Sequence, residues 1–379
     1  MNGKEIYRFS FTGDNEKEIC SLVKGLSILG GASTYKEYGK YGIIEEVKVD
    51  NYDEEKINVR DAILKFASAQ AGIPTPTTPT EMARAMDSTA FRDIVNTIST
   101  RAIETMFVNY RSPQLDRLVD IEEVEVGSSA SFEIDPKGLP IAQRATYASN
   151  VTLLPSYAKS SITITPKVYS LGTELDFIRI IGNKYDWGRA IARVYAGMLF
   201  AQYQLVVTKI FNSSVLSGTP LYQANFSNDS FTQLASDVAM LNGGSQDSVM
   251  ALGTYVALSK ISSLATNGGY MLRDEYIRDA YIGKILGVNT MVLAQLTNFA
   301  QPFTTASASV LRTIPDDLIL IVPINGDKIC KLVREKYIRV REVSANSNNL
   351  NRNEYMYFQA FDADLATASY FGIQGTTAG

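Results

Sequence analysis

Asp362 and Asp364 stand two positions apart, a spacing that puts both carboxylates on one face of a strand, as a metal site or a general acid–base pair requires. No third ligand accompanies them, so a solvated strand edge is the preferred reading. Ser156-Tyr-Ala-Lys159 has the Ser-x-x-Lys spacing of serine–lysine nucleophiles, and Ser259-Lys260 sets the same residue types side by side. The first lies in a stretch poor in large apolar residues, where no enclosed pocket is expected. Asp316-Asp317 and Glu122-Glu123 are adjacent, so in strands their side chains diverge. Gly3-Lys4, Gly39-Lys40 and Gly283-Lys284 continue with Glu, Tyr and Ile, which gives no phosphate-binding loop.

The chain has no histidine. That removes Ser-His-Asp and Cys-His catalysis, His-ligated metals and the usual general base near neutral pH. Its two cysteines, Cys20 and Cys330, are far apart and form no metal-binding pattern, as expected in a reducing cytoplasm. No catalytic residue, metal or cofactor is therefore expected. The 379 residues are 45% hydrophobic and 20% charged with net charge −4, too weak a charge for a basic nucleic-acid grip. Arg92, Arg101, Arg111 and Arg117 interleave with Asp93, Glu104, Asp116 and Asp120, which favours a solvated or inter-subunit face. The N-terminus has no run suited to a signal peptide, so the sequons at Asn150, Asn212, Asn225 and Asn228 carry no weight. Val194–Val207 is interrupted by Gln202 and Gln204 and is too short to span a bilayer, so no membrane partner is expected.

The elements are organised around residues 186–212. Trp187, Ile191, Val194, Met198, Ala201, Leu205 and Thr208 recur at helical steps, with Asp186 as N-cap. Such a helix runs roughly 40 Å. Phe200, Tyr203, Val206 and Ile210 widen its apolar surface, so more than one neighbour must pack on it. The ladder Trp187, Tyr195, Tyr203 is expected to be core rather than a stacking platform, and Trp187, Val194, Met198 and Leu205 are its predicted core residues. Residues 1–72 are expected to form a small separate α/β unit: a strand at Tyr7–Phe11, a helix from Glu16 stopped by Gly30-Gly31, a strand at Tyr41–Val49 and a helix at Asp53–Ala71. The three prolines of Ile73–Thr80 mark the clearest boundary. Helix resumes over Glu81–Tyr110, with a break expected at Asp87-Ser88-Thr89.

From Leu118 to Leu175 the period is two, with a strong turn at Asp135-Pro-Lys-Gly138, and too few large apolar residues to make a core. This predicts a projecting β-arm that needs a neighbour. Beyond the long helix the pattern is mixed: helices at Phe231–Leu241, Tyr255–Ala265 and Arg273–Tyr281, a strand pair bent about Gly287, a buried strand at Asp317–Pro323, a short helix or strand at Lys328–Val333, and strands at Tyr337–Val343, Glu354–Phe361 and Ala366–Phe371.

This order, from helical arm to β-arm, long helix, α/β region and returning strands, resembles the major capsid protein fold of tailed bacteriophages, shared with herpesviruses and encapsulins. Ser161–Asp176 is similar to the segment that returns from the family's extended loop. Tyr281–Leu293 is similar to its glycine-punctuated strand, and Asp317–Asp327 with Lys336–Val343 to its closing strands. The resemblance covers about residues 80–375. It implies an α+β fold with an N-terminal arm, extended β-hairpin loop, spine helix, peripheral domain and axial domain. The implied division is 1–72 accessory or scaffold-like domain, 73–118 linker and helical arm, 119–175 extended loop, 176–240 with 337–379 peripheral domain, and 241–336 axial domain. It also implies a subunit that self-assembles into hexamers and pentamers around packaged double-stranded DNA in the virion, made in the host cytoplasm, with scaffold, portal and decoration proteins as further partners. Residues Phe132, Ile134 and Lys137 on the β-arm and Phe91, Ile94 and Arg101 on the helical arm are then expected to clasp neighbours. An encapsulin-type compartment, and more remotely a hydrolase or lyase using Asp362/Asp364 or Lys159, stand as alternatives.

Overall fold

Two helices of the N-terminal hundred residues are laid directly on the long helix, and glycines set the distance. The computed structural model describes residues 14–38, 45–110, 116, 118–134, 160–175, 186–211, 219, 221–265, 283–293, 295, 312–343, 353–367 and 369–378. In chain order the helices are α1 (Asp14–Tyr38), α2 (Tyr52–Ala71), α3 (Pro79–Asp87), α4 (Thr89–Asn109), α5 (Trp187–Phe211), α6 (Asn228–Leu241) and α7 (Tyr255–Ala265). Gly30-Gly31 does not stop α1, which continues to Tyr38. A Cβ on Gly30 would lie 2.7 Å from Met106 Sδ on α4 and 2.9 Å from Ile191 Cδ1 on α5; one on Gly31 would lie 2.7 Å from the Tyr110 ring. On α5, a Cβ on Gly188 would come within 3.0 Å of Leu29. The pair is a contact surface, and a helix that buries its glycines against neighbours can carry the propensity cost of about 1 kcal/mol each.

The described part of residues 1–72, namely 14–38 and 45–72, therefore does not stand apart. Ile19, Leu26 and Leu29 of α1 and Ile63 and Phe66 of α2 join one core with α4, α5 and the sheets. The strand expected at Tyr7–Phe11 lies outside the described residues, and residues 45–49 form no strand. Polar fastenings hold the same junction. Asp186 accepts from the Arg189 amide (3.3 Å), capping α5, and its other oxygen accepts from the Tyr52 hydroxyl of α2 (2.7 Å). Arg189 pairs with Glu37 of α1. Ser88 interrupts the α3–α4 stretch, and α3 opens with a capping box between Thr78 and Glu81.

The strands are β1 (Val119–Val124), β2 (Ala130–Ile134), β3 (Ser160–Ile164), β4 (Lys167–Leu175), β5 (Tyr222–Phe226), β6 (Val249–Thr254), β7 (Lys284–Ile285), β8 (Val288–Leu293), β9 (Leu318–Pro323), β10 (Cys330–Glu335), β11 (Arg339–Val343), β12 (Asn353–Leu365) and β13 (Gly372–Ala378). Among these, one five-stranded sheet is built on the long β12, which pairs antiparallel with β10, β11 and β4; β1 adds parallel to β10. A six-stranded sheet runs β5-β13-β9-β6-β8-β7. The β7–β8 turn bends through Leu286 and Gly287, both at positive φ, which suits a two-residue hairpin. Only β2–β3 stands outside both sheets.

These pairings move the boundaries read from sequence. β1 and β4 belong to the first sheet rather than to the extended loop, β10 to the first sheet rather than the axial region, and β5 and β13 to the second sheet. The last strand is Gly372–Ala378, not Ala366–Phe371. The cause is the parallel pairing of β1 with β10 and β13 with β5, which joins segments roughly 150 to 210 residues apart and leaves no local trace.

Helix α5 lies between the first sheet and α1/α4. Ala190, Val194, Tyr195, Met198, Leu199, Tyr203, Val206 and Ile210 are all buried. The helix has 25 residues and a window of mean hydropathy 1.2, by length and composition enough to cross a membrane, yet 67% of that window is buried by the protein. Its apolar surface has two sides to satisfy, which explains why it exceeds one stripe. The crossing at Gly30 supplies a test. In Gly30→Leu, overpacking of about 1–3 kcal/mol exceeds the propensity gain of about 0.5–1 kcal/mol. The thermal midpoint, followed by circular dichroism, is expected to fall by about 1–3 °C.

Candidate functional site

The base of the β-arm is fastened to its own subunit. Lys331, on β10, donates to Asp327 (2.7 Å) and Asp120 (3.1 Å), and its ammonium lies 5.9 Å from the centroid of the Phe132 ring on β2. These carboxylates raise the Lys331 pKa above its ordinary value, against the opposing effect of burial, so it stays charged. Ala130 and Ile164 of the hairpin pack with Val333 of β10, flanked by Val124, Phe132 and Ile162. The Gly127 amide, just before β2, donates to buried Glu335 (3.0 Å). Ile134, at the far end of β2, is half-buried, and Lys137 lies outside the described residues. Phe132 is thus partly engaged with its own sheet.

The helical-arm residues behave differently from their expected role. Phe91 and Ile94 are 0% and 1% exposed within the single chain, so neither can reach a neighbour. The reason is that α1 and α2 cover α4. Arg101 remains half-exposed and pairs with Glu16 of α1 at 3.4 Å. On the spine, Trp187, Val194 and Met198 are buried and Leu205 is half-buried. Trp187 donates through Nε1 to Ser99 Oγ (3.1 Å), and the Tyr195 hydroxyl donates to the Tyr110 carbonyl.

The pairs that might do chemistry are held in separate contacts. Asp362 pairs with Lys167 (2.9 Å) and Asp364 with Lys209 of α5 (3.5 Å). The carboxylate of Asp362 pushes the Lys167 pKa up, which keeps that amine protonated. No group of three or more His, Cys, Asp or Glu suited to a metal occurs among the described residues. Lys260 donates to the Asp316 carbonyl (3.1 Å), and Ser156 and Lys159 lie outside the described residues. Burial pushes the Cys330 thiol up to about 12, and nearby Asp364 adds to this.

One cleft, of about 1280 Å³, opens between α4, the start of α1, and the strand ends of β1, β10 and β11. Cys20, Arg101, Glu104 and Glu123 of its lining are each conspicuous in the sequence, but no local signal marks a surface that α1, α4 and β11 build jointly. Arg101, Arg334, Lys336, Arg339 and Arg341 line it against Glu104 and Glu123. Arg334 is nearly buried, bonded to Glu123 (2.6 Å) and the Phe107 carbonyl (3.1 Å). Glu104 accepts from the Ile338 amide (2.9 Å). Glu16 and buried Glu335 stand behind Arg101 and Arg339.

The profile of the family described as SPbeta prophage-derived putative capsid protein YonB matches residues 38–374. The chain belongs to this capsid protein family. Among solved structures, a subunit of the bacteriophage PhiM1 mature capsid is 12% identical, with 68% of this chain and 85% of that one covered at a TM-score of 0.45. The capsid of the native GTA particle is 11% identical over 70% and 90% at 0.46, and Microbacterium phage Oxtober96 11% over 69% and 90% at 0.44. No curated protein matches the sequence.

In this capsid protein the fastening of the arm is open to direct test. Phe132→Ala removes a half-buried ring from the hairpin base, a loss on the order of 1–2 kcal/mol. Limited proteolysis within residues 128–165 is expected to speed up about tenfold, with the melting of the remainder little changed. The thiols give a second test. A thiolate is the reactive form, so in the folded chain near pH 8 a disulfide reagent is expected to label exposed Cys20 but to reach Cys330 only after denaturant.

Proposed function

We propose that this chain is the major capsid subunit of a tailed-phage-type virion, self-assembling into hexamers and pentamers that close an icosahedral shell around packaged double-stranded DNA. Family membership over residues 38–374 is the observation that carries this reading. The β2–β3 hairpin supports it: the ribbon belongs to neither sheet, and its described contacts with the subunit gather at its base. A two-stranded ribbon has little stability of its own, and holding one in place costs about 1–2 kcal/mol per residue in backbone entropy. A sibling subunit provides the burial that offsets this cost, as in obligate assemblies. On this reading the clasping surfaces are the hairpin around Ile134 and Lys137 and the exposed side of α4 around Arg101, with Phe132 shared between its own sheet and the neighbour.

Assembly takes place in the host cytoplasm and the product is the virion shell, with scaffold, portal and decoration proteins as further partners. Negative-stain microscopy of the expressed chain is expected to reveal closed particles, and a variant with residues 135–159 replaced by a short Gly-Ser turn is expected to elute as a folded monomer. Normal particles from that variant would refute the clasp. Co-purified enzyme in place of nucleic acid would transfer the shell to the encapsulin type.

A further inference from the structure

The cleft beside α4 holds a buried hydrogen-bond donor that has no acceptor. Asn96 lines it at 3% exposure, and its Nδ2 has no hydrogen-bond partner. A buried amide donor left unmade carries a desolvation cost, which a group that supplies its acceptor relieves on binding. Among the neighbouring threonines, Thr97 and Thr100 donate to the carbonyls of Asp93 and Asn96 (2.7 and 2.8 Å), and neither hydroxyl oxygen accepts from Asn96 Nδ2. The cationic side chains at the mouth add further donors, while the chain as a whole is net negative. Val108, Val126 and Val168 stand 56%, 47% and 61% exposed around the same opening.

We propose that this cleft is a docking site for an acidic peptide segment of a separate polypeptide, in which carboxylates alternate with aliphatic side chains. The carboxylates and carbonyls meet Asn96 Nδ2, Lys336 and Arg339, and the aliphatic groups cover the three valines. The valines distinguish this ligand from nucleic acid, whose phosphates offer them nothing, and a duplex about 20 Å across does not enter a cleft of this volume. The inference goes beyond the shell reading: docking is measured on the chain itself, whereas shell formation is read by microscopy.

The test uses a fluorescein-labelled peptide of alternating Glu and Val, eight residues long, with Gln–Val and Lys–Val peptides as controls. Anisotropy is recorded on the full chain at two salt concentrations. The Glu–Val peptide alone is expected to bind, at least tenfold more weakly when salt is raised from 50 to about 300 mM. Lys336→Glu and Arg339→Gln, both at the cleft mouth, are each expected to weaken binding about tenfold; circular dichroism melting is unchanged in the first and somewhat lower in the second, which loses the ion pair to buried Glu335. Asn96→Leu is expected to do the same, and because a substitution at a buried position can unfold the chain, the two surface variants decide the matter. Equal binding of the Gln–Val peptide, or of the Glu–Val peptide to both surface variants, would overturn the proposal. So would no binding at all, displacement by a duplex oligonucleotide, or tighter binding of a peptide of this chain's own residues 128–136, which would assign the cleft to a second copy.

Discussion

The crossing of α1 over α5 and α4 is the contact on which the remaining architecture rests. At Gly30, Gly31 and Gly188 a single methyl group would meet Met106, Ile191, Tyr110 and Leu29 at 2.7–3.0 Å, so these neighbours would have to shift to admit it. Close approach matters because interiors are packed near crystalline density, so any widening would open voids along the whole crossing. With α1 seated, α4 is covered on one side, and its Phe91, Ile94, Ile98 and Met106 become interior. With α4 seated, Arg334 can bond the Phe107 carbonyl and tie the helical layer to β10. One close crossing thereby locates the helices, the first sheet and the cleft between them.

The first sheet has a second duty as the anchor of the β-arm. Lys331 on β10 holds Asp120 of β1, Asp327 of the preceding turn and the Phe132 ring of β2 at one point. Together the two carboxylates stabilise the ammonium more than its partial burial disfavours it. A strand pair leaving the body at such a node has a fixed origin and a fixed direction. Gly127, held by Glu335, sets the turn out of β1. If the hairpin clasps a neighbour as proposed, this stiffness at its root fixes where the two meet.

Local patterns in the sequence carry much of this structure. The helical spacing of Trp187 to Leu205, the alternation at Ser161–Thr165, the turn at Gly287 and the break at Ser88 each follow from interactions within a few residues. What local pattern cannot carry is contact between distant segments. Gly30-Gly31 reads as a helix terminator because intrinsic propensity is the only force visible in sequence, whereas in the fold the lost propensity is exchanged for packing against Met106 and Ile191. Phe91 and Ile94 read as an outward clasp because nothing in residues 81–110 announces that α1 will cover them. The cleft has the same origin. Asn96 looks like an ordinary mid-helix polar residue until α1, α4 and the β1/β10/β11 strand ends enclose it.

The same logic bears on the residues that first suggested chemistry. A catalytic carboxylate pair needs two groups competing for one site, so that one holds a proton the other lacks. Asp362 and Asp364 instead have one lysine each, from β4 and from α5, and so tie the edge strand and the spine to β12. Asp316 likewise accepts from Thr254 (2.6 Å) and Gln295 (3.3 Å), joining the start of α7 to residues 295 and 316. The buried Tyr195, Tyr203 and Cys330 are shifted upward by desolvation, the direction that makes a nucleophile less available. The three aspartates are thereby committed to holding elements together. A subunit whose work is to present surfaces in fixed relation to one another has a use for every such fastening.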